Sequence, residues 1–194
     1  MNFSISRQKL KLLAIAAIGL VPLLFTLSFI GVVGERASAD AEHWHKVAQN
    51  APDRLMAQVV TDHLNPELPV DTGRMKILTL QLPGQSQPLY LIDSRITNLA
   101  EYPHANPLCG AFGCAFFGYI PASGEGFREV WTAYLNVNLP PEVTLFESPV
   151  ELRNKLPVLK TNQMQGDRIE QLHWSFNGQE YEITKTLLTP QTYE

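Results

Sequence analysis

The sequence predicts an α+β protein in which short helices pack on an antiparallel sheet of about six strands, after an N-terminal membrane-spanning helix. Three observations lead to this fold class. The chain has a long uncharged stretch near its start, two short helical segments follow, and the remainder is mostly strand-like segments separated by turn residues. Helices followed by runs of strands, without regular alternation, are typical of α+β proteins.

Residues 1–39 form the first predicted segment, a membrane anchor or signal segment. Three basic residues precede an uncharged stretch of 22 residues that runs from Leu12 to Val33. A secretory signal core has roughly 7–15 apolar residues, whereas roughly 20 are needed to span a bilayer. The length favours a retained anchor. Cleavage after Ala39, which closes an Ala-Ser-Ala site, stays open as the alternative.

Residues 40–194 form the second predicted segment, one exported domain. Basic residues before the apolar stretch favour an N-terminus inside, so this domain is expected in the periplasm or a thylakoid lumen. It contains 18 acidic and 11 basic side chains. That balance argues against binding nucleic acid or anionic lipid surfaces. The expected partners are the membrane, through residues 12–33, and a protein of unknown identity.

The helical segments of this domain are "ADAEHWHKVAQN" and "APDRLMAQVVTDHL". In the second segment Leu55, Val59 and His63 recur at helical spacing, which indicates a helix lying on a sheet. "SPVELRNKL" resembles a further helix start, because Ser148 and Glu151 have the spacing of a capping box.

Strand signals occupy most of the other positions. In "FREVWTAYLNV", Trp131, Ala133 and Leu135 alternate with polar residues and are expected to face the core, whereas Tyr134 is expected on the wetter face. The last two strand segments flank Asn177-Gly178, a pair typical of a two-residue type I′ hairpin. The other predicted strand segments are "RMKILTLQL", "PLYLIDSRI", "CAFFGYI" and "VTLFE".

Both cysteines of the chain lie in "NPLCGAFGCAFFGYIP", with four residues between Cys109 and Cys114. An exported domain folds in an oxidising compartment, which favours a structural disulfide. The alternatives are a redox-active pair, which needs a low-pKa thiolate, and a pair of metal ligands. No lysine or arginine lies between Arg95 and Arg128 to support a thiolate.

The segments "NPLCGAFGCAFFGYI", "VWTAYLN" and "FNGQEYEI" resemble uncharacterised exported bacterial domains of cyanobacterial type, over at most residues 74–187. The resemblance implies an exported α+β fold, a disulfide between Cys109 and Cys114, and no established activity. It is carried by residues that look structural, namely Cys109, Gly110, Gly113, Cys114, Phe176, Gly178 and Tyr181.

No catalytic or metal motif stands out in the sequence, so we expect no cofactor, no metal and no enzymatic activity. His43 and His45 are two apart and point to different sides of a helix. Two pairs of glutamates, Glu180 with Glu182 and Glu125 with Glu129, have the residue types of an acid and a base for glycoside cleavage. The pair of Glu180 and Glu182 is expected to face solvent. His63 and His173 are isolated in sequence.

The expected function is a non-enzymatic binding or accessory module, anchored or secreted. The candidate binding residues are His104 and Phe112, in the loop of residues 96–113, and Tyr134 on the wetter sheet face. Loops carry a large share of binding residues. An exported thiol–disulfide protein that uses Cys109 and Cys114 is the alternative, and an inhibitor that inserts the loop into a hydrolase is a third possibility.

Overall fold

The computed structural model describes residues 44–64, 70–95, 106–124 and 126–190. Helix α1 spans Val47–Asn50 and helix α2 spans Asp53–His63, and a 3-10 turn covers Thr72–Arg74. Twelve strands complete the secondary structure of these residues. Strands β1 to β6 are His45–Lys46, Lys76–Leu80, Leu89–Asp93, Cys109–Gly110, Gly113–Pro121 and Phe127–Leu135. Strands β7 to β12 are Phe146–Glu147, Leu152–Arg153, Leu156–Pro157, Leu159–Gln165, Arg168–Phe176 and Tyr181–Pro190.

Two antiparallel sheets contain most of these strands. In the first sheet β1, β2 and β3 are neighbours in that order, and β5 pairs with β3 and β4 on one side and with β6 on the other. The second sheet has the order β12, β11, β10, β7, and β8 pairs with β9 in a separate hairpin. The expected α+β class is therefore wrong, because the described residues are mainly β.

Strand β5 is buried along most of its length because it is covered on both faces. Phe116 belongs to a core between the two sheets, which also contains Phe146 and Leu159. Its neighbour Phe117 belongs to a second core, in which Leu55 of α2 lies against the first sheet. Successive side chains of a strand point to opposite faces, so a continuous apolar run is expected only where both faces are covered.

Strand β6 matches the sequence prediction for its two faces. Trp131, Ala133 and Leu135 are buried in the core between the sheets, whereas Thr132 and Tyr134 are exposed. The helix at residues 53–63 is also confirmed, with Leu55 and Val59 buried against the sheet.

The region predicted as a third helix is a hairpin instead. Strands β8 and β9 are joined by Asn154 and Lys155, which both have positive φ, 49° and 65°. Two consecutive positive φ angles are the signature of a type I′ turn, whose twist matches that of the paired strands. The Asn154 Nδ2 group also donates to the carbonyl oxygen of Phe176 at 2.7 Å, which secures the turn against β11.

The hairpin of β11 and β12 exists, but its turn is not of the predicted two-residue type. Phe176 pairs with Tyr181, so four residues form the loop. The Oδ1 atom of Asn177 accepts from the backbone amides of Gln179 and Glu180 at 2.8 and 3.0 Å. This side chain closes the loop by an Asx-type turn, which competes with the tighter connection.

The predicted membrane-spanning stretch, residues 12–33, lies outside the described residues. Within the residues that are described, no helix combines the length and the apolar character needed to cross a bilayer.

Candidate functional site

The cysteine pair forms the base of a tight hairpin between β4 and β5. Cys109 and Cys114 lie directly opposite each other and are joined by a disulfide, as the sequence predicts. Gly110 pairs with Gly113, which leaves Ala111 and Phe112 at the tip.

The side-chain amide of Asn106 fixes the segment that leads into this hairpin, through contacts of both its oxygen and its nitrogen. Its Oδ1 accepts from the backbone amide of Leu108 at 3.0 Å, and its Nδ2 donates to the carbonyl oxygen of Ser94 at 3.1 Å. The same Nδ2 group lies 3.0 Å from the Sγ atom of Cys109. The hairpin is thereby held to the end of β3 by hydrogen bonds as well as by the disulfide.

Two of the three predicted binding residues are exposed aromatic side chains near one end of β5. Phe112 at the hairpin tip is 88% exposed, and Tyr134 is 58% exposed. Tyr134 pairs with Ala115, the residue after Cys114, so it stands beside the base of the hairpin. His104 lies outside the described residues. Large exposed aromatics of this kind are enriched at binding surfaces.

A second cluster of functional groups was not predicted from the sequence. It consists of Asp62 and His63 at the C-terminal end of α2, Tyr119 on β5 and Glu129 on β6. The His63 Nε2 atom lies 2.7 Å from Glu129 Oε2. The Tyr119 hydroxyl donates to Asp62 Oδ2 at 3.0 Å and lies 3.4 Å from Glu129 Oε2.

Aromatic packing fixes the orientation of the His63 ring. The ring stacks on Phe117 with centroids 3.8 Å apart and planes 14° from parallel, and it meets Tyr119 edge-on at 6.5 Å. Its side chain is 18% exposed and that of Glu129 is 28% exposed, so the pair is half-buried but open to solvent.

A β-bulge brings Glu129 to the cluster. The register of β5 and β6 shifts after Gly118, so that Gly118 pairs with Trp131 but Tyr119 pairs with Glu129. Val130 is the extra residue, and it points into the same core as its neighbour Trp131. Without the bulge, Tyr119 would oppose Val130. Bulges of this kind re-aim side chains and are frequent next to functional sites.

The Tyr119 hydroxyl acts in this cluster as a hydrogen-bond donor. Burial raises the pKa of Tyr119 far above its usual value of 10, and the negative charges of Glu129 and Asp62 raise it further. A phenol with such a raised pKa keeps its proton at physiological pH, so its oxygen stays neutral and donates to a carboxylate.

A shallow pocket on the second sheet carries another polar group of side chains. Glu147 accepts hydrogen bonds from the amides of Asn162 and Gln171, and Gln171 Oε1 lies 2.9 Å from His173 Nε2. The side chains of Glu147, Asn162 and Gln171 are bound to one another, so these three offer few unused donors or acceptors to a ligand.

The structure describes three of the four glutamates that the sequence offered as acid–base pairs. Glu180 and Glu182 are both exposed, and Glu125 lies outside the described residues. Glu129 instead meets His63, which is 66 positions away in sequence. Only the single histidine at the end of the predicted helix hinted at this cluster, and a single histidine is a weak signal.

The sequence matches no known protein-family model, no curated protein and no solved structure at a significant level.

Proposed function

We propose that this chain is an exported, non-enzymatic binding module that recognises a protein partner through the surface formed by Phe112 and Tyr134. The domain faces the periplasm or a thylakoid lumen, held at the membrane by residues 12–33 or released after Ala39. The observation that carries the proposal is the exposure of Phe112 at the tip of a disulfide-closed hairpin.

The hairpin supports this role because it is organised before binding. A backbone that is already held in place by a disulfide loses little conformational entropy when a partner covers it. An apolar ring that is 88% exposed contributes almost nothing to the fold, so its position at this tip is not explained by packing. Tyr134 pairs with Ala115, which is three residues after Phe112 in the chain, so both exposed aromatics belong to the same end of the sheet and suit one contact surface.

Site-specific crosslinking in living cells tests this proposal. A photo-reactive amino acid at position 112 or at position 134 is expected to capture the same partner. The matched control is Ile183, which is 49% exposed on the edge strand β12 and lies outside the proposed surface. Capture of the same protein with equal yield from position 183, or no capture from positions 112 and 134, contradicts the proposal.

Affinity measurements with the captured partner complete the test. Phe112→Ala is expected to weaken binding at least tenfold, because aromatic anchors dominate interface energies. Ile183→Ala is expected to leave binding unchanged. Both variants should melt within about 1 °C of the wild-type protein, since exposed side chains contribute little to stability. An unaltered affinity in Phe112→Ala would exclude this hairpin as the contact.

Export and retention need a separate measurement. Protease added to spheroplasts, or to inside-out thylakoid vesicles, should digest the 40–194 domain, and alkaline extraction should distinguish an anchored chain from a released one. A mature N-terminus at Asp40 would establish cleavage. Protection of the domain from protease in these spheroplasts or inside-out vesicles would contradict the proposed location.

Thiol–disulfide exchange is the second candidate function, and one contact favours it. The Asn106 Nδ2 group lies 3.0 Å from Cys109 Sγ, and a donor at this distance stabilises a thiolate after reduction. In such an exchange a partner dithiol is oxidised while the Cys109–Cys114 disulfide is reduced. A reduction potential near −200 mV would support this function, and one below about −300 mV would contradict it.

A further inference from the structure

The cluster at the end of α2 has the composition of a transition-metal site. We propose that Asp62, His63 and Glu129 bind one divalent ion of the Zn²⁺ type through one imidazole nitrogen and two carboxylate oxygens. This inference does not rest on the binding function proposed above.

The spacing of the three ligand atoms is compatible with such an ion. One nitrogen or oxygen from each side chain lies within 4.8 Å of the other two. Around tetrahedral Zn²⁺, with bonds of about 2.0–2.1 Å, neighbouring ligand atoms are about 3.3 Å apart. The distance of 2.7 Å between His63 Nε2 and Glu129 Oε2 must therefore lengthen slightly, and the carboxylate of Asp62 must move closer to both atoms. Side-chain rotation is sufficient for both changes, because Asp62 is exposed and Glu129 is half-buried.

The ligand types match those of the proposed ion. Imidazole suits Zn²⁺ and neighbouring transition metals, and carboxylates complete many three-ligand sites that leave a fourth position for water. The cluster places two carboxylates around one histidine, and a phenol hydroxyl donates to one of the carboxylates. A divalent cation between these two carboxylates compensates the repulsion of their negative charges.

The surrounding groups support the ligands as the outer groups of metal sites commonly do. The Gln58 Nε2 group donates to Asp62 Oδ1 at 2.9 Å, and the Tyr119 hydroxyl donates to Asp62 Oδ2. The His63 ring is held by its stack on Phe117. Hydrogen bonds to ligating carboxylates and a fixed imidazole orientation raise metal affinity, typically by 10–100-fold.

The positions of the three ligands in the fold predict that a bound ion stabilises the protein. Two ligands come from the end of α2 and the third comes from β6, so an ion would connect the helix to the sheet. An ion that binds only the folded chain raises its stability in proportion to the logarithm of the free ion concentration. The melting temperature of the protein should therefore increase with Zn²⁺.

Titration of the full-length, EDTA-treated chain without a histidine tag tests the proposal. The probe is ZnSO₄, followed by calorimetry and thermal melts, with Co²⁺ absorption as a spectroscopic readout. We expect one ion per chain at micromolar concentrations and a higher melting temperature. Absence of binding up to 100 μM Zn²⁺ overturns the proposal.

Variants of the three ligands identify the site. His63→Phe keeps the aromatic stack on Phe117 but removes the ligand, and Asp62→Asn changes an exposed side chain whose loss does not threaten folding. Both should weaken Zn²⁺ binding at least tenfold, as should Glu129→Gln. Tyr119→Phe should weaken it less, since it removes only a donor to Asp62.

Matched controls separate this site from other histidines and carboxylates. His173→Phe, Glu180→Gln and a double His43→Asn, His45→Asn variant should bind Zn²⁺ as the wild-type chain does. Loss of binding in the double variant, with retention in Asp62→Asn and His63→Phe, would assign the ion to the N-terminal histidines and overturn the proposal.

Discussion

A Cβ atom added to Gly113 would stand 2.1 Å from the carbonyl oxygen of Leu135. The glycine backbone thus lies directly against the end of β6, and its φ of 118° is one that side-chain-bearing residues rarely adopt. Contact with β6 and the disulfide together hold the hairpin that presents Phe112. Only glycine permits both the backbone angle and the close approach.

Replacement of this glycine is expected to destabilise the fold strongly. Gly113→Ala should lower the free energy of unfolding by at least about 2 kcal/mol, through backbone strain and the clash with Leu135. Gly110→Ala is the matched control, because an added Cβ there meets no atom within 4 Å. Urea denaturation measures both. Equal stability of the two variants would show that the close approach does not exist in solution.

Loss of the disulfide is expected to destabilise the domain moderately. Closing a loop of this length contributes about 2 kcal/mol through the entropy of the unfolded chain. The double variant Cys109→Ser, Cys114→Ser should therefore melt about 4–8 °C lower than the oxidised protein. Calorimetry measures the difference, and reduced wild-type protein should melt near the variant. An unchanged melting temperature would contradict a structural role.

The ion pair of Asp93 and Arg95 predicts that Arg95→Met lowers the stability of the protein more than the loss of a surface ion pair does. The Asp93 side chain is 1% exposed, and Arg95 donates to its carboxylate from Nε at 2.9 Å and from Nη2 at 2.6 Å. Arg95→Met leaves a buried carboxylate without its cation, so we expect a loss of about 3 kcal/mol. Arg95 is 37% exposed, which places the cost at the lower end for buried pairs.

A surface ion pair supplies the control for this prediction. Arg74 and Asp71 are in contact at 3.0 Å, but about half of each side chain is exposed. Arg74→Met should therefore change stability by less than about 1 kcal/mol. In the double variant Asp93→Asn, Arg95→Met, much of the loss should be recovered. Equal effects of Arg95→Met and Arg74→Met in chemical denaturation would contradict the argument.

His173 predicts a loss of stability in mild acid. Burial lowers the pKa of His173 below its usual value of 6.5, and the positive charges of Lys160 and Lys185 lower it further. Both lysines lie directly opposite His173 on the two neighbouring strands. The unfolded chain then binds a proton more readily than the folded one, so stability is full above pH 6.5 and falls as the pH drops toward the folded value.

Two variants test this assignment. His173→Gln should lose less stability between pH 7.5 and pH 5 than the wild-type protein. Lys185→Gln should raise the pKa of His173, which NMR titration of the ring measures directly. A pKa of His173 at or above 6.5 in the wild-type protein would contradict the prediction.

Local patterns in the sequence were sufficient to predict several elements. The alternation of Trp131, Ala133 and Leu135 identified the core face of β6, and the spacing of Leu55 and Val59 identified helix α2. The two cysteines are near in sequence, so their disulfide was also predictable. Each of these signals depends on residues within one turn, strand or short loop.

Other elements depend on neighbours that are distant in the chain. Strand β10 has the polar sequence "LKTNQMQ", and it is a strand because β7 and β11 pair with it on either side. Asn154 and Lys155 form a hairpin turn that sequence patterns assigned to a helix start, and the Asn154 side chain bonds to β11. Tertiary contacts override local propensity at such positions.

The sequence by itself determined the strand-rich character of the described residues, the position of their longest helix, the core face of β6 and the covalent closure of the Phe112 hairpin. Only the tertiary structure decided that Tyr119 and Glu129 meet, because one bulged residue shifts the register between their strands. The tertiary structure also decided that Glu129 meets His63. The two residues come together because α2 packs on the sheet, and they are too far apart in sequence for a helix or strand repeat to relate them.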